Sequence, residues 1–349
     1  MEKHIKNKIE RYKKVFDMSQ DKERFLFQIE INDDKPVCPP LRKDNIPQRL
    51  DYIKRFYEYQ VKKSAALDDD SIPYLNMVTG TEIFGEACGC EVFFPENNNP
   101  CAVHYLKSAK DSGKVKIPPL YDSTLMYLFD MADELKKFAG KDCLFKLPDL
   151  QSPMDIVALI WEKVEFFCAL VEEPETIKEM SRKVKALVAE FLEEWFKRYG
   201  KAFIAHFPDY YMEEGATMSV DEVGLISPET FKEFFLDELN DLSDKFGGIG
   251  IHCCADSEHQ FDNFKSVRKL RLINLYRGRD AIIKSYSVFE KKCVQYPGLI
   301  INGVGGQLGF YDYENYPKGN HMIFREYVSN MDEALKLCDK LKKVKGRAE

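Results

Sequence analysis

The chain of 349 residues is 44% hydrophobic and 13% aromatic, so it has enough apolar side chains for a large core and is unlike a disordered chain. Its net charge of −7 excludes a general nucleic-acid-binding surface, which needs a basic surplus, but it leaves room for a local basic pocket. The N-terminus is polar and no run of about 18 uncharged apolar residues occurs, so we expect neither a secretory leader nor a membrane span, and we expect the ten cysteines to be reduced thiols in the cytoplasm.

The first 120 residues predict helices followed by long loops. Charged helices are predicted at 8–16 and 45–63, joined by a proline-rich connection. Residues 72–77 are typical of a short buried strand. Residues 78–122 are rich in Gly, Pro and Asn and predict long loops, which in a compact domain are often functional.

From residue 150 onward, predicted helices and strands alternate. Helices are expected to begin at Pro153, Pro174 and Pro228, because proline fits the first turn of a helix, and Ser227 is placed to cap the third. The elements that follow are strands at 249–254, 272–275, 299–304 and 322–328 and helices at 280–294 and 332–343. This alternation predicts parallel strands with crossover helices, in a closed barrel or an open sheet. No G-x-G-x-x-G turn follows the first clear strand, which removes the main support for a dinucleotide-binding open sheet.

The segment His252-Cys253-Cys254 carries the strongest chemical signal. Residues i and i+2 of a strand point to the same side, so His252 and Cys254 are expected to converge at the C-terminal end of a strand, where β/α barrels build active sites. Zinc favours imidazole and thiolate donors and needs one or two more. The alternative is a core histidine beside two packing cysteines, with Cys253 facing the helix layer.

Other candidate residues give weaker signals. Asp221 and Glu222 are adjacent carboxylates, and Asp221 is placed to orient His252; the alternative is a solvated loop. The pair Cys88 and Cys90 is a second thiol cluster, but one C-x-C without a second pair favours packing over metal binding. Packing or a loop position is also favoured for His104.

Four segments, taken in chain order, resemble the uroporphyrinogen decarboxylase superfamily. They are Leu150–Ile156, similar to its Gly-Pro-Phe helix start; Pro174–Ile177, similar to its Pro-Glu-x-(Val/Ile) start; Asp221–Phe231, similar to its acidic loop and Ser-Pro-Glu-x-Phe start; and Ile251–Cys254, similar to its strand ending in His-x-Cys-Gly. The resemblance covers roughly residues 70–345. It implies an α/β fold, a (β/α)8 TIM barrel over 71–349 with an N-terminal helical extension over 1–70.

The superfamily divides into metal-free decarboxylases, which are lyases acting on a tetrapyrrole carboxylate, and zinc methyltransferases, which move a methyl group between a corrinoid and a thiol. The decarboxylases carry an Arg-Gln-Ala-Gly-Arg stretch where this chain has the acidic residues 27–34. Acidic groups repel a polycarboxylate, so we predict no useful rate of uroporphyrinogen decarboxylation.

The resemblance therefore implies a methyltransferase with catalytic residues His252, Cys254 and Asp221, a zinc ion, a small-molecule thiol or methylated substrate and a corrinoid protein as partner, without nucleic acid or membrane. A metal-free decarboxylase and a non-catalytic barrel that docks a corrinoid protein are the alternatives.

The third zinc ligand is the point where the chain departs from the family pattern. The methyltransferases place a Gly-Cys pair after a late strand, whereas this chain has Gly319-Asn320-His321, and Ala255 replaces the glycine after the family's first cysteine. The resemblance thus implies a zinc ion held by His252, Cys254 and a third donor. For the third donor His321 is preferred first, a carboxylate second, and Cys88 or Cys90 third. A residue that precedes a strand lies at the N-terminal end of a barrel, opposite to the active site. His321 therefore fits the zinc site only if the strand predicted at 322–328 starts later.

Overall fold

The structure is a computed structural model that describes residues 2–19, 24–32, 35–96, 99–301, 304–306 and 319–344. Its helices are α1 Lys3–Phe16, α2 Ile46–Ala66, α3 Glu82–Ala87, α4 Met126–Ala139, α5 Pro153–Ile160, α6 Lys163–Glu172, α7 Pro174–Tyr199, α8 Pro228–Phe234, α9 Leu236–Phe246, α10 Phe261–Ser266, α11 Arg279–Val288 and α12 Met331–Val344. Its strands are β1 Arg24–Ile31, β2 Val92–Phe93, β3 Cys101–Ala102, β4 Phe203–Ile204, β5 Tyr211–Met212, β6 Ala216–Ser219, β7 Ile249–Cys253, β8 Leu270–Arg277, β9 Val294–Gln295, β10 Gly298–Ile301, β11 Val304–Gly306 and β12 His321–Val328.

Six strands form one parallel sheet in the order β6-β7-β8-β9-β12-β1. Beside this path, β10 pairs in parallel with β8 and antiparallel with β11. Isolated parallel bridges extend the pairing at Gln151–Ser219, Lys146–Ile204 and Leu75–Phe145. The described residues thus show a mixed α/β fold built on a six-stranded parallel path, and they show neither eight parallel strands nor a closed ring.

Strand β1 corrects the expectation that residues 1–70 are helices and connections alone. It pairs in register with β12 along all eight residues, so the N-terminal part contributes a strand to the main sheet. The sequence did not predict it because Gln28 and Glu30 interrupt the apolar residues. In a strand with a period of two these polar side chains share one face, while Phe27 and Ile29 are fully buried on the other.

Two buried carboxylates hold β1 in place. Asp70 accepts the backbone N–H of Phe27 and Asp69 accepts that of Ile29, each at 2.9 Å. The ammonium of Lys8 in α1 is buried with Asp69 at 3.2 Å, which compensates one of the two charges. These contacts tie α1 and β1 to the segment after α2, and the proposed domain boundary near residue 70 stays a prediction.

The predicted helices exist, but several have different bounds. The continuous helix expected from Pro153 is two helices, α5 and α6, because Trp161 is extended and the carboxylate of Glu162 accepts the N–H of Glu165 to cap a new helix. The third helix likewise breaks between α8 and α9. The helix expected over 280–294 ends at the end of α11, and the loops expected over 78–122 contain α3, β2 and β3.

Local capping explains how the chain enters α8, before the site. Ser227 is the N-cap residue and its side chain accepts the N–H of Thr230, while Pro228 occupies the first helical position. This confirms the helix start expected from the sequence. Among the described residues, no helix is both long and apolar enough to cross a membrane.

Candidate functional site

Three potential metal donors meet where β6 and β7 end. They belong to Asp221, His252 and Cys254, and their donor atoms all lie within 4.8 Å of one another. His252 is the fourth residue of β7 and is only 7% exposed, whereas Cys254 follows the strand and is exposed. Cys253 lies on the other side of the strand, buried, with its thiol 3.3 Å from the hydroxyl of Ser257. The period of two in a strand thus separates a donor thiol from a packing thiol.

A hydrogen-bond chain orients the imidazole of His252. Its Nδ1–H donates to Oδ1 of Asn274 at 2.5 Å, and Nδ2 of Asn274 donates to the carbonyl of Tyr296 at 2.5 Å. Because the amide nitrogen of Asn274 is a donor, its oxygen is the acceptor, which leaves Nε2 of His252 with its lone pair for a ligand. Burial lowers the pKa of His252 below its usual value, against the opposite effect of Asp221, so the ring is neutral near pH 7.

Two aromatic rings flank the imidazole. The ring centroid of Phe207 lies 4.7 Å from that of His252, and the ring of Tyr276 lies 6.2 Å away. Phe207 and Tyr276 also contact each other, with centroids 5.8 Å apart. These rings shield His252 from water, and nothing in the local sequence pattern had identified them.

A second histidine, His206, is buried nearby but is not a candidate ligand. Its Nδ1 lies 3.0 Å from the hydroxyl of Thr217 and its Nε2 lies 3.0 Å from the hydroxyl of Ser219, so both ring nitrogens are engaged. Burial lowers its pKa well below the usual value, and protonation of His252 would lower it further. His206 is therefore a neutral structural residue.

Asp155 fixes the position of Asp221. Its buried carboxylate accepts the backbone N–H of Asp221 at 3.2 Å and of Glu222 at 2.8 Å, and it accepts the hydroxyl of Ser152 at 2.6 Å. Asp221 in turn accepts the backbone N–H of Cys254 at 2.5 Å, which joins the loop to the end of β7. Burial and then the charge of Asp221 raise the pKa of Asp155 well above its usual value. Sequence reasoning missed Asp155, although its place three residues after the N-cap Ser152 was a usable signal.

The thiol of Cys254 is protonated near neutral pH in the free protein. Partial burial of the sulfur and the negative charge of Asp221 raise its pKa to about 12, with Arg277 acting in the opposite direction. A bound divalent cation reverses this balance, because coordination deprotonates a thiol. One imidazole nitrogen, one sulfur and one carboxylate oxygen, with a fourth position open, fit the donor set of a catalytic zinc site.

The structure does not bring His321 to this group. His321 is the first residue of β12, and its Nδ1–H donates to the carbonyl of Val15 at 2.5 Å. All strands of the path from β6 to β1 run in parallel, so the first residue of β12 lies at the edge opposite to the end of β7. Strand β12 starts at His321, one residue earlier than the sequence predicted. The third donor in the observed group is the carboxylate of Asp221.

The loop cysteines and His104 also lie outside the group. Cys88 and Cys90 are buried in the hydrophobic core, and burial raises the pKa of their thiols to about 12 and about 11. His104 is exposed and its Nδ1 lies 3.3 Å from the carbonyl of Leu159. Packing explains the two cysteines without a metal.

The stretch at residues 27–34 differs from the acidic surface that we expected. Residues 33–34 lie outside the described part of the chain, and Glu30 is surrounded by cations. Burial would raise the pKa of Glu30, but these charges together lower it below its usual value. The cations are Lys63, Arg325 and Lys35. Repulsion of a carboxylate substrate therefore does not follow at Glu30, and the absence of uroporphyrinogen decarboxylation stays a prediction.

Comparison with known proteins agrees with this fold. A sequence profile of the uroporphyrinogen decarboxylase (URO-D) family matches residues 75–295. A solved methyltransferase from Methanosarcina mazei is similar in fold, with a TM-score of 0.66 over 97% of this chain and 98% of that chain at 12% sequence identity, a level at which the likeness shows the fold alone. No curated protein sequence matches the chain. The family profile covers well over half of the residues, and the chain therefore belongs to the uroporphyrinogen decarboxylase family.

Proposed function

We propose that the protein is a zinc-dependent methyltransferase that moves a methyl group between a corrinoid, carried by a partner protein, and a small thiol. The observation that carries the proposal is the convergence of Asp221, His252 and Cys254 within 4.8 Å at the C-terminal ends of parallel strands. That edge is where β/α barrels place their chemistry. The similar fold of a methyltransferase supports the same class of reaction.

In this proposal Nε2 of His252, the thiolate of Cys254 and a carboxylate oxygen of Asp221 hold the zinc ion. When bound, zinc lowers the pKa of a thiol that joins it at the open position, so that the substrate is a thiolate near neutral pH. The protein residues supply order: Asn274 holds the imidazole, Asp155 holds the loop of Asp221, and Phe207 with Tyr276 limits water on one side.

Methyl transfer itself needs the substrate sulfur and the methyl carbon to meet near Cys254. Cys254 is exposed, so both a small thiol and the corrinoid of a docked partner have access to it. The thiol proton leaves to solvent before the transfer. The substrate sulfur then forms the new bond to the methyl carbon as the cobalt–carbon bond of the methylcorrinoid breaks, and the electron pair of that bond stays on the cobalt, which leaves as Co(I). The proposal also includes a closed (β/α)8 barrel and a cytoplasmic location. The ten free cysteines support the cytoplasmic location.

The test uses methylcobalamin as methyl donor and 2-mercaptoethanol as acceptor with the zinc-loaded protein. Demethylation of the corrinoid, followed by its absorbance, is expected with the wild type and not with Cys254→Ala. Cys253→Ala removes the neighbouring thiol that faces the core, and it is expected to keep most of the activity. Equal rates with and without Cys254, or zinc binding without any transfer, would contradict the proposal, and the second outcome would favour a docking barrel without catalysis.

A metal-free decarboxylase is the second candidate, and one observation favours it. The charges of Lys63 in α2 and Arg325 in β12 act on Glu30, and such cations would bind a substrate carboxylate. Metal content separates the two candidates, because the decarboxylase needs none of the three zinc donors.

A further inference from the structure

A cavity of about 220 Å³ lies beside the first and last strands of the sheet. Its walls come from β1, β12, the C-terminal half of α2 and the loop before β5. Glu30 is the seventh residue of β1 and Tyr327 the seventh of β12, so the cavity lies at the C-terminal edge that also holds His252. Two strands, β8 and β9, separate β7 from β12, which corresponds to about 14 Å along the sheet.

Lys63 is a buried cation without a dedicated partner. It is 7% exposed and lines the cavity from α2. Within the described part of the chain its ammonium makes no hydrogen bond and no ion pair, although the charge of Glu30 attracts it. Glu30 instead pairs with Lys35 at 3.1 Å. The Lys63 side chain is thus mostly removed from water while its charge has no ion pair with any described residue, and a cation that lines a cavity in this way commonly serves a ligand.

Arg325 adds a second cation that is only partly satisfied. Its guanidinium donates through one nitrogen to Asp209 at 3.1 Å and to Gln28 at 3.3 Å, while its buried Nε has no hydrogen-bond partner. Asp209 is also paired with Lys146 at 2.6 Å. The wall of the cavity thus carries two cations, Lys63 and Arg325, and two carboxylates, Glu30 and Asp209, while Lys35 and Lys146 pair with these carboxylates from outside the lining.

We propose that this cavity binds the carboxylate of a small organic acid, with Lys63 and Arg325 as its cationic partners. Among the residues that the structure describes, Lys63 has no ion pair and the Nε of Arg325 has no hydrogen-bond partner. Both therefore leave donors available to an anion, and the planar donor arrangement of a guanidinium suits a carboxylate. The volume is below the roughly 300–1,000 Å³ of pockets for drug-sized ligands, so the acid is small. The aromatic rings of Phe56, Tyr74 and Tyr327 supply apolar wall for its carbon skeleton. The assignment uses none of the zinc donors.

Calorimetric titration with succinate at constant ionic strength tests this directly, with the zinc-free protein so that the result is independent of the proposed reaction. We expect saturable binding of succinate and none of succinamide, its neutral analogue. Lys63→Met is expected to weaken binding about ten-fold or more, because a hydrogen bond to a charged group is lost. Lys62→Met removes an exposed charge from the same helix and is expected to change affinity less than about two-fold.

A further variant, Glu30→Gln, removes a competing anion and is expected to tighten succinate binding. Absence of succinate binding, equal binding of succinamide, or equal weakening by Lys62→Met and Lys63→Met would each overturn the assignment. Sulfate is the second probe: if it binds as tightly as succinate, the cavity recognises charge alone and the assignment to a carboxylate is wrong. A thermal unfolding curve for each variant verifies that the fold is intact.

Discussion

The two clusters at the C-terminal edge of the sheet differ in how their residues come together. His252 and Cys254 are two residues apart and share one side of β7, with Asp221 from the preceding loop. The cavity draws Glu30 and Arg325 from β1 and β12, near opposite ends of the chain, and both belong to it only because those strands pair. Local periodicity therefore reveals the first cluster, whereas the second requires the tertiary pairing.

The same two clusters differ in charge. Around Asp221, burial and then mutual repulsion raise the pKa of Asp155 well above its usual value, and burial raises that of Asp149 to about 6, with a further contribution from Asp221. These neighbouring carboxyl groups favour the binding of a cation at Asp221. Around Lys63 and Arg325 the effect is the reverse, because these cations and their neighbours lower the pKa of Glu30 and of Asp209 despite burial. One edge of the sheet thus combines opposite ligand preferences, which the net charge of the whole chain does not show.

The largest expected effect is on zinc affinity when a donor is removed. Zinc binding to four ligands is worth about 10–16 kcal/mol in small zinc domains, or about 2.5–4 kcal/mol per ligand. Cys254→Ala is therefore expected to weaken zinc binding by about 100- to 1,000-fold, measured by competition with a chelator. Cys253→Ala is the matched control and is expected to keep wild-type affinity. Equal weakening in both variants would show that the sulfur of Cys254 is not a ligand.

The next effect concerns the residue that orients His252. Asn274→Ala removes the acceptor of Nδ1–H, and zinc affinity is expected to fall about 10- to 100-fold, as for other partners of metal-bound histidines. Asn263→Ala is the control, since that asparagine is also buried but contacts the Pro228 carbonyl and Gln260 instead. A larger loss in the control than in Asn274→Ala would break the assigned role.

A smaller effect is expected on the reactivity of the Cys254 thiol in the zinc-free protein. Because Asp221 helps to raise its pKa to about 12, Asp221→Asn should lower that pKa and raise the rate of alkylation at pH 8 by about ten-fold. Arg277→Met should raise the pKa of Cys254 and lower its rate of alkylation. Mass spectrometry of the peptides follows Cys254 beside the exposed Cys168, whose rate is expected to be constant. A rate at Cys254 that does not depend on Asp221 would contradict this electrostatic coupling.

The smallest effect is on stability. The pKa of Asp155 is raised in the folded state, so its contribution to stability is present below the unfolded pKa of about 4 and is lost as pH rises toward the folded pKa. Asp155→Asn keeps the shape without the charge and should flatten this pH dependence, with unfolding free energies within about 1 kcal/mol of wild type at pH 5. Urea unfolding at pH 5 and pH 8 measures it. A variant that loses stability with rising pH as steeply as wild type would exclude Asp155 as the cause.

Much of the fold followed from the sequence because capping and alternation are local. Ser227 with Pro228 marked a helix start, and the run at 249–254 marked β7. The sequence did not predict β1, because its polar residues Gln28 and Glu30 look like loop residues until β12 lies beside them.

The sequence likewise predicted only part of the site. The period of two placed His252 with Cys254, but the choice of His321 relied on the position of a family motif, and the start of β12 carries that residue to the other edge. Asn274 and Asp155 act through contacts with residues far along the chain, at separations of 22 and 66 residues. No local pattern encodes such contacts.

X-ray absorption at the zinc edge, together with metal analysis of wild-type protein purified without chelator, tests the central claim most directly. The account predicts about one zinc per chain, with a single sulfur at about 2.3 Å and nitrogen or oxygen donors at about 2.0–2.2 Å. Less than roughly one-tenth of an equivalent of zinc after incubation with excess metal, or a zinc shell without sulfur at about 2.3 Å, would contradict it.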